Sequence, residues 1–324
     1  MTTMPNIIST AMRVYSMRDW PWWYLILLFK RSIYYWSAVG KCGIVFVMHE
    51  LFLQRLAKIL PPQALDHFGK PALYTHFRVN TLKASIQDIH DQLKDAGVPF
   101  ELVNWYTPAL SVPVAYAREV LDSSLVTQGF LYPQGLESMQ AVVALDPQPG
   151  ECVLDLCAAP GSKTTQIAAH MRNEGVLVAN EPVRARFYRL KTVLNITGAR
   201  SKLTMVDGRR YQARDRLFDR VLVDASCSSE GRFKKDDPKT YAYWSLHKIK
   251  EMAHKQKGLL LNASRLVKPG GVLVYSTCTF AVEENEEVLE WFLRKASGFT
   301  LEKQTRILPD SHMEGFFIAK LRKI

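Results

Sequence analysis

Two cysteines stand at positions where thiol chemistry is possible. Cys227 follows DRVLVDAS and Cys278 follows VLVYST, and both apolar runs predict buried strands. A lone cysteine is usually a small buried apolar residue, but ligands of open α/β sheets bind beyond the carboxyl ends of the strands. Because both cysteines directly follow strands and Cys227 lies close to Asp224, the pattern indicates reactive thiols rather than core residues.

The loop after the predicted strand CVLDLC has the composition of a ligand-binding turn. It runs from Asp155 to Lys163 as DLCAAPGSK and leads into a helix predicted from Thr164. Its small residues and Gly161 let the backbone approach a ligand at a helix N-terminus, which favours a carboxylate or a phosphate. The loop matches neither the dinucleotide-binding GxGxxG pattern nor the phosphate-binding GxxxxGK[ST] pattern.

Acidic residues follow the next two predicted strands. Glu181 follows VLVAN, where an acid typically accepts hydrogen bonds from ribose hydroxyls, and Asp207 follows LTMV, where it can bind an adenine amino group. Either acid alone could instead cap the next helix. Together with the DLCAAPGSK loop, the two acids predict a pocket for an adenosyl ligand with a charged tail.

These strand ends must be brought together by a sheet, and the pattern after Pro133 predicts one. Strands alternate there with helices, which is typical of an α/β fold with a parallel sheet and crossover helices over residues 134–324. The predicted strands span residues 152–157, 176–180, 203–206, 219–224, 272–276 and 316–321. Two of the predicted helices span residues 246–267 and 283–294.

Residues 48–133 predict a smaller α+β domain. MHELFLQRLAKIL has apolar residues at near-helical spacing and is stopped by Pro61. THFRVNTLK alternates as a strand does, and Ser85 caps an amphipathic helix that Gly97 closes. The remainder up to Tyr132 predicts short strands and turns.

The first 47 residues differ from the rest by their clustered aromatic side chains. The longest apolar run, from Trp20 to Phe29, is about half of the ~20 residues that a membrane-spanning helix needs. We therefore expect an N-terminal extension outside the fold, with Met48 as the natural start. The alternative is an anchor in the membrane interface.

The charge balance favours a polyanionic partner. Among 324 residues, 42 lysines and arginines stand against 31 acidic residues, giving a net charge of +11. Such side chains gain affinity for phosphates by releasing counterions, although a merely basic soluble protein has the same balance. The five cysteines have neither disulfide nor zinc-site spacing, so we expect a reducing, cytoplasmic compartment and no metal.

A set of longer motifs covers the chain from about Pro61 to its C-terminus. They are FRVNTLK (77–83), DLCAAPGSKT (155–164), DASCSSEGRF (224–233), YSTCTF (275–280) and GFFIAKLRK (315–323). In this order they closely resemble the RNA cytosine-C5 methyltransferases of the NOL1/NOP2/Sun group. The resemblance implies a Rossmann-like methyltransferase sheet that uses S-adenosylmethionine, with a small N-terminal α+β RNA-binding domain.

The resemblance also implies roles for individual residues. Cys278 would attack the target cytosine, Cys227 would assist release of the product, and Lys163 and Asp224 would lie beside the base. The family usually has a proline where Ser226 stands, whereas its Thr-Cys pair is intact and favours Cys278 as nucleophile and RNA as substrate. The cofactor would be held by Asp155, Cys157, Ala158, Ala159, Pro160, Gly161, Lys163, Glu181, Arg186, Asp207 and Asp224.

The chemistry of cytosine explains why such residue types are needed. Carbon 5 is too weak a nucleophile to accept a methyl group until a thiolate adds at C6 and makes the ring enamine-like. Asp224 could then act at N3, as an acid or through a hydrogen bond, while Lys163 could lower the pKa of the thiol or orient Asp224. The C5 proton could leave to Cys227 or to a water molecule.

Structured RNA is the predicted partner, and the cytosine must leave its stack to reach the site. The expected product is 5-methylcytosine in ribosomal RNA, or in transfer RNA, made by a monomer. The alternatives are a nitrogen methyltransferase and a catalytically weak RNA-binding ribosome-assembly factor with the same fold. The basic helix 246–267 is better explained as a solvated face, and RNA contacts are expected from Arg78, Asn80, Arg232, Lys234 and Lys235.

Overall fold

The computed structural model describes residues 48–213 and 216–324, together with the backbone of two short segments nearer the N-terminus. The chain divides into two compact units, residues 1–55 and residues 56–324. In the first unit, β1 (Trp36–Ala38) pairs antiparallel with β2 (Ile44–Phe46). The extension and the membrane anchor considered for residues 1–47 otherwise lie outside the described residues. No helix in the described ranges is long and apolar enough to cross a membrane.

A small antiparallel sheet and short helices follow β1 and β2 in the chain. The strands run in the order β4-β5-β3-β6. They are β3 (Tyr74–Val79), β4 (Glu101–Leu102), β5 (Ala109–Pro113) and β6 (Leu131–Pro133). The helices are α1 (Glu50–Ile59), α2 (Pro62–His67), α3 (Ile86–Asp95), α4 (Val114–Asp122) and α5 (Ser124–Thr127).

The local sequence explains why α3 forms and packs on this sheet. The Ser85 side chain accepts a hydrogen bond from the Asp88 N–H and so caps α3, as predicted. Ile89 and Leu93, one helical turn apart, are buried against the sheet residues Phe77 and Val79. The predicted α+β character of this part of the chain is confirmed.

The segment before β6 differs from the prediction of strands and turns. It contains α4 and α5, and α4 begins directly after Pro113, which stands at its N-cap position. Ala117 and Val120 are spaced three residues apart and are buried, so one face of α4 packs on the small sheet. Much of the segment 114–127, for which strands and turns were predicted, is therefore helical.

The larger sheet has seven strands in the order β12-β13-β11-β10-β7-β8-β9. The strands are β7 (Cys152–Asp155), β8 (Val176–Asn180), β9 (Lys202–Thr204), β10 (Phe218–Asp224), β11 (Val267–Thr277), β12 (Phe299–Ile307) and β13 (Phe316–Lys323). The helices are α6 (Leu136–Leu145), α7 (Ser162–His170), α8 (Arg184–Thr197), α9 (Leu246–Leu266) and α10 (Glu286–Lys295). Short 3-10 turns span Gly208–Arg210, Glu230–Arg232 and Pro238–Thr240.

Both faces of this sheet are buried, which explains why its strands are continuously apolar. Leu154 and Val223 belong to a core cluster on one face, whereas their neighbours Val153 and Leu222 belong to a second cluster on the other face. Side chains from α9 and α10 contribute to the first cluster, and side chains from α6, α7 and α8 contribute to the second. The predicted boundary after Pro133 falls inside the 56–324 unit, so the division into domains stays a prediction.

The sheet is parallel from β11 to β9 and antiparallel at its other edge. β13 pairs antiparallel with β11 and with β12. The sequence predicted β13 but not β12, because β12 is mostly exposed and lacks the apolar signal of a buried strand. The predicted helix 246–267 agrees with α9 to within one residue, whereas β11 begins at Val267, five residues before the predicted start of that strand.

Candidate active site

A cleft of about 520 Å³ opens at the carboxyl ends of the parallel strands. This is the edge at which ligands of open α/β sheets bind. The cleft is lined on one side by the turn after β7 and on the other by the segments that follow β10 and β11. Its chemically important side chains are Lys163, Arg186, Asp224, Cys227, Arg232 and Cys278.

The two cysteines predicted to react lie side by side in this cleft. The Sγ atoms of Cys227 and Cys278 are 3.3 Å apart, and the Cys278 Sγ lies 3.6 Å from the Ser229 hydroxyl oxygen. The hydrogen bond from Cys227 lowers the pKa of Cys278, and the positive charge of Arg232 acts in the same direction against the effect of burial. The same hydrogen bond, together with burial, raises the pKa of Cys227. Of the two thiols, Cys278 therefore loses its proton more easily, and Cys227 holds its proton more tightly.

Hydrogen bonds hold the segment that contains Cys227 although the usual proline is replaced by Ser226. The Gln256 side chain donates to the Ser226 carbonyl (3.0 Å) and to the Glu284 carboxylate (2.8 Å). The Ser228 N–H donates to the same carboxylate at 3.1 Å. Glu284 is fully buried, which raises its pKa to about 7.

The segment with Cys278 is held from the start of the following helix. The Thr277 hydroxyl donates to the Asn285 side-chain oxygen at 2.6 Å, and the Asn285 amide donates to the Thr279 carbonyl at 2.9 Å. Asn285 thus fixes the residues on both sides of Cys278. The sequence analysis did not find Asn285, Gln256 and Glu284. These residues lie on α9 or directly before α10, outside the strand-end segments in which the cysteines were recognised.

Asp224 is fixed by two donors at the floor of the cleft. The Lys163 ammonium group donates to one carboxylate oxygen at 2.8 Å, and the Ser276 hydroxyl donates to the other at 2.7 Å. Lys163 is buried and also donates to the Ser138 hydroxyl at 2.8 Å. These contacts show Lys163 orienting Asp224, one of the two roles that the sequence left open.

The turn after β7 has the features of a cofactor site. Asp155 is buried, which raises its pKa to about 7, and its Oδ2 accepts a hydrogen bond from the Thr164 hydroxyl at 2.7 Å. Its Oδ1 has no partner among the described residues, so this acceptor fits a hydrogen-bond donor from a ligand. Gly161 has φ +119°, and a Cβ there would come within 3.0 Å of Val193, so only glycine suits this position.

The other predicted cofactor residues lie at the neighbouring strand ends. The buried Glu181 accepts a hydrogen bond from the Val183 N–H at 2.9 Å and lies 3.4 Å from Arg186, which donates to the Ala159 carbonyl at 2.6 Å. Asp207 follows β9 and is paired with Arg209. The remaining members, Cys157, Ala158, Pro160 and Gly161, belong to the turn itself, and burial raises the pKa of the Cys157 thiol.

Asn180 connects these strand ends and was not predicted. This buried residue ends β8 and donates to the carbonyls of Leu156 (3.1 Å) and Val206 (2.9 Å). Its side-chain oxygen accepts from the Thr204 hydroxyl at 2.9 Å. The terminal Asn of VLVAN was the available signal, since an amide at the end of an apolar strand usually binds backbone groups.

The structure contradicts the direct RNA contacts expected from Arg78 and Asn80. Each is only 1% exposed. Arg78 donates to the Gln134 side chain (3.0 Å) and to the Thr165 hydroxyl (2.8 Å), so it links the small sheet to α7. Asn80 donates to the carbonyls of Gly129 and Thr197, both at 2.8 Å. These polar side chains satisfy buried protein groups and do not reach a surface.

The other predicted RNA contacts lie at the surface. Arg232, Lys234 and Lys235 are exposed, and Arg232 lines the cleft. Two lysines of α9, Lys248 and Lys255, are instead paired with Glu251 of the same helix, in agreement with a solvated face. Within the described ranges, no group of three or more His, Cys, Asp or Glu side chains is arranged to hold a metal ion.

A parallel sheet with an antiparallel β13, a ligand turn after β7 and acids at the next strand ends define the class of Rossmann-like methyltransferases that use S-adenosylmethionine. Residues 142–322 match the family described as 16S rRNA methyltransferase RsmB/F, and the chain belongs to this family. The predicted family, fold and cofactor are thereby confirmed, as is the class of enzyme, an RNA cytosine-C5 methyltransferase.

Two curated relatives illustrate the range of the family. The chain is 38% identical to a tRNA (cytosine(49)-C(5))-methyltransferase of Pyrococcus abyssi, over 85% of this chain and 96% of that protein. It is 36% identical to ribosomal RNA small subunit methyltransferase F of Aeromonas salmonicida, over 84% of this chain and 63% of that protein. The chain thus spans nearly all of the first relative and less than two thirds of the second.

Solved structures show the same fold. A methyltransferase homolog protein from Pyrococcus horikoshii is 31% identical with a TM-score of 0.74, covering 85% of this chain and 95% of that one. The structure of NSun6 from Pyrococcus horikoshii with SFG is 24% identical with a TM-score of 0.72, covering 81% of this chain and 93% of that one. The second likeness concerns the fold alone.

Proposed function

We propose that this chain forms 5-methylcytosine in structured RNA through a covalent bond between the Cys278 sulfur and C6 of the target cytosine. The observation that carries the proposal is the pair of thiols 3.3 Å apart, in the same cleft as the Lys163–Asp224 pair. When bound, S-adenosylmethionine supplies the methyl group as a sulfonium. The residues at the ends of β7, β8 and β9 would hold it, since Asp155 offers an unused buried acceptor.

In the first step the Cys278 thiolate adds to C6 of a cytosine turned out of its stack. The C6–S bond forms, and the electrons of the C5–C6 double bond move into the ring, so that C5 becomes nucleophilic. Asp224 is the group assigned to N3: in its protonated form it donates its proton to N3 as the negative charge develops on the ring. Lys163 and Ser276 hold Asp224 in position for this contact.

After C5 has accepted the methyl group, a base must take the C5 proton so that the C6–S bond can break. Cys227 is the group that we assign to this step. The first cause of its raised pKa is the hydrogen bond to Cys278. Because that hydrogen bond is lost once the Cys278 sulfur is bonded to carbon, Cys227 can release its own proton to solvent and, as a thiolate, take the C5 proton. Both thiols must stay reduced, which agrees with the predicted cytoplasmic location.

Transfer RNA and ribosomal RNA are both candidate substrates. The two relatives described above are named for one RNA each, and the tRNA enzyme is the one matched over nearly its full length. The sequence alone favoured ribosomal RNA, so both RNAs belong in the first assay. Neither alternative, the nitrogen methyltransferase or the assembly factor, is favoured by an observation in the cleft.

The test is methyl transfer from tritiated S-adenosylmethionine to total RNA that lacks the modification, followed by bisulfite sequencing. We expect one or a few methylated cytosines with the native chain, none with Cys278→Ala, and native activity with Cys152→Ala, a control thiol outside the lining of the cleft. Full activity of Cys278→Ala would overturn the covalent mechanism. Absence of transfer by a folded native chain that binds the cofactor would favour the assembly factor.

A second readout examines the intermediate itself. RNA that carries 5-fluorocytosine lacks the proton that must leave C5, so the C6–S bond cannot break after methylation. We expect an RNA adduct that survives denaturation with the native chain and is absent with Cys278→Ala. Unmodified RNA should give a trapped adduct with Cys227→Ala, because this variant lacks the assigned base.

A further inference from the structure

A second cavity of about 420 Å³ lies directly beside the catalytic cleft. Four residues, Gly135, Glu137, Arg232 and Glu314, line both cavities and form the wall between them. We call this cavity the flanking pocket and define it by Tyr74, His76, Arg232, Lys234, His312 and Glu314. Its volume lies in the range of small-molecule sites, and its occupant would be a close neighbour of the base in the cleft.

The flanking pocket has an aromatic platform. The rings of Tyr74 and His312 are stacked, with centroids 4.4 Å apart and an interplanar angle of 18°. The Tyr74 hydroxyl donates to Glu101 at 2.7 Å, and the Asp310 carboxylate accepts from the N–H groups of His312 and Met313, both at 2.7 Å. The Tyr74 ring is therefore held through its hydroxyl, and the backbone that carries His312 is held by Asp310.

A buried histidine supports this platform from below. His76 is 9% exposed, its ring centroid lies 6.0 Å from that of His312, and its Nδ1 lies 2.9 Å from the Ser111 hydroxyl oxygen. Both rings of the stacked pair are themselves only half-buried. The platform thus offers aromatic surface at the wall of the pocket.

Cationic side chains surround the platform. Lys70 and Lys234 are exposed lining residues, and neither forms an ion pair with any residue in the described ranges. Arg232 lies 3.5 Å from Glu314 at the shared wall, and its side chain is 67% exposed. Of the other two acids of the lining, Asp310 binds backbone N–H groups, and Glu137 is buried, which raises its pKa to about 7. The groups that remain for a ligand are an aromatic surface and positive charges.

We propose that the flanking pocket binds the nucleotide next to the target cytosine in a single-stranded part of the RNA. Its base stacks on the Tyr74–His312 pair, and its phosphate lies among Lys70, Lys234 and Arg232. Aromatic platforms combined with basic side chains are how proteins hold single-stranded nucleic acid. Since the target cytosine leaves its stack, its neighbour loses a stacking partner, and the platform replaces that partner. The inference rests on the proposed action on RNA.

The test measures binding and catalysis separately. Binding is followed by fluorescence anisotropy with a labelled, unstructured 12-nucleotide RNA that contains a single cytosine. We expect Tyr74→Ala and His312→Ala to weaken binding roughly 5- to 100-fold, the loss of one base stack. Tyr74→Phe keeps the ring and should bind as the native chain does. Tyr243→Ala, which removes a tyrosine that is 90% exposed and outside the pocket, is the matched control.

Methyl transfer to the RNA identified by bisulfite mapping is the second readout. We expect KM for RNA to rise with the binding loss while kcat changes much less, and cofactor affinity to stay unchanged. No RNA binding by the native chain, or equal affinities for the native chain and both alanine variants, would overturn the inference. If the alanine variants lose RNA binding but the native chain transfers no methyl group, the proposed reaction fails and the pocket remains an RNA site.

A cross-linking experiment locates the neighbouring nucleotide directly. In the same 12-nucleotide RNA, 4-thiouridine is placed either before or after the cytosine and irradiated. We expect cross-links from one of the two positions to the peptides that contain Tyr74 or residues 310–314. Cross-links from both positions that map only to other surfaces, such as α9, would overturn the assignment.

Discussion

Two buried polar regions of the 56–324 unit differ in what their side chains serve. In the catalytic cleft, Lys163 and Asp224 are bonded to each other and line an open cavity with two thiols. Beneath the small sheet, Arg78 and Asn80 donate to other protein groups and reach no surface. All four residues belong to the motifs that carry the family resemblance, but only Lys163 and Asp224 line the cleft. A polar motif residue can therefore serve either chemistry or the junction between two sheets.

The largest expected effect is a loss of methyl transfer, without a loss of stability, when a residue of the catalytic cleft is replaced. Cys278→Ala should lower methyl transfer by at least about 10³-fold, because the nucleophile cannot be replaced. The urea midpoint should stay within experimental error of the native value, since a small side chain at the cleft wall is removed. The measurement is a single-turnover assay beside urea unfolding. A large loss of stability would instead mean that the Cys278 side chain is needed for the fold, as we expect for Arg78.

The second effect is a loss of stability, which we expect when a buried residue of the small sheet is replaced. Arg78→Met should lower the free energy of unfolding by about 2–4 kcal/mol, because Gln134 and Thr165 lose a buried partner. Arg118→Met, at a side chain that is 85% exposed, should change it by less than about 0.5 kcal/mol. Urea unfolding gives both values. If Arg78→Met had native stability and weaker RNA affinity, Arg78 would contact RNA directly, as the sequence predicted, and the role assigned from its burial would be wrong.

A smaller effect distinguishes the exposed lysines near the cleft from lysines that are paired within α9. Lys234→Gln combined with Lys235→Gln should reduce the salt dependence of RNA binding, by roughly 0.7 in the log–log slope for each phosphate that the protein no longer neutralises. Lys248→Gln combined with Lys255→Gln should leave the slope unchanged, because these lysines are paired with Glu251. Anisotropy titrations between low and moderate salt measure the slopes. Equal slopes in both double variants would mean that Lys234 and Lys235 contribute no more to phosphate binding than Lys248 and Lys255 do.

The smallest effect concerns the pH dependence inside the cleft. The positive charge of Arg232 helps to hold the pKa of Cys278 below its usual value of 9.0. Arg232→Gln should therefore raise that pKa, so the acidic limb of the kcat–pH profile moves to higher pH by up to about one unit. Lys234→Gln serves as the control and should not move it. A shift to lower pH would contradict the assignment of Cys278 as the thiolate.

Much of the catalytic edge could be predicted because its signals are local. Asp155 ends an apolar strand, and Glu181, Asp207 and both cysteines lie within three residues of a strand end. The carboxyl ends of parallel strands meet at one edge of the sheet. The strands were recognisable because they are buried on both faces and therefore continuously apolar. β12 was missed for the opposite reason, since most of its residues are exposed.

The remaining parts of the site depend on contacts between distant segments. Gln256 binds Ser226 and Glu284, which are 30 and 28 positions away, and Asn180 connects groups 24 and 26 positions away. No periodicity or spacing in the sequence encodes such contacts. The FRVN segment shows the same limit, because the residue type of Arg78 does not reveal which side of a sheet it will face.

The closeness of the two sulfurs has a consequence for redox chemistry. An S–S bond is about 2.0 Å long, so the Cys227 and Cys278 sulfurs, now 3.3 Å apart, need to approach by little more than about 1 Å to be linked by an oxidant such as dissolved oxygen. A disulfide would consume the nucleophile and its neighbour together. Protein stored without a thiol reductant should therefore lose activity in step with the loss of two titratable thiols, and dithiothreitol should restore both.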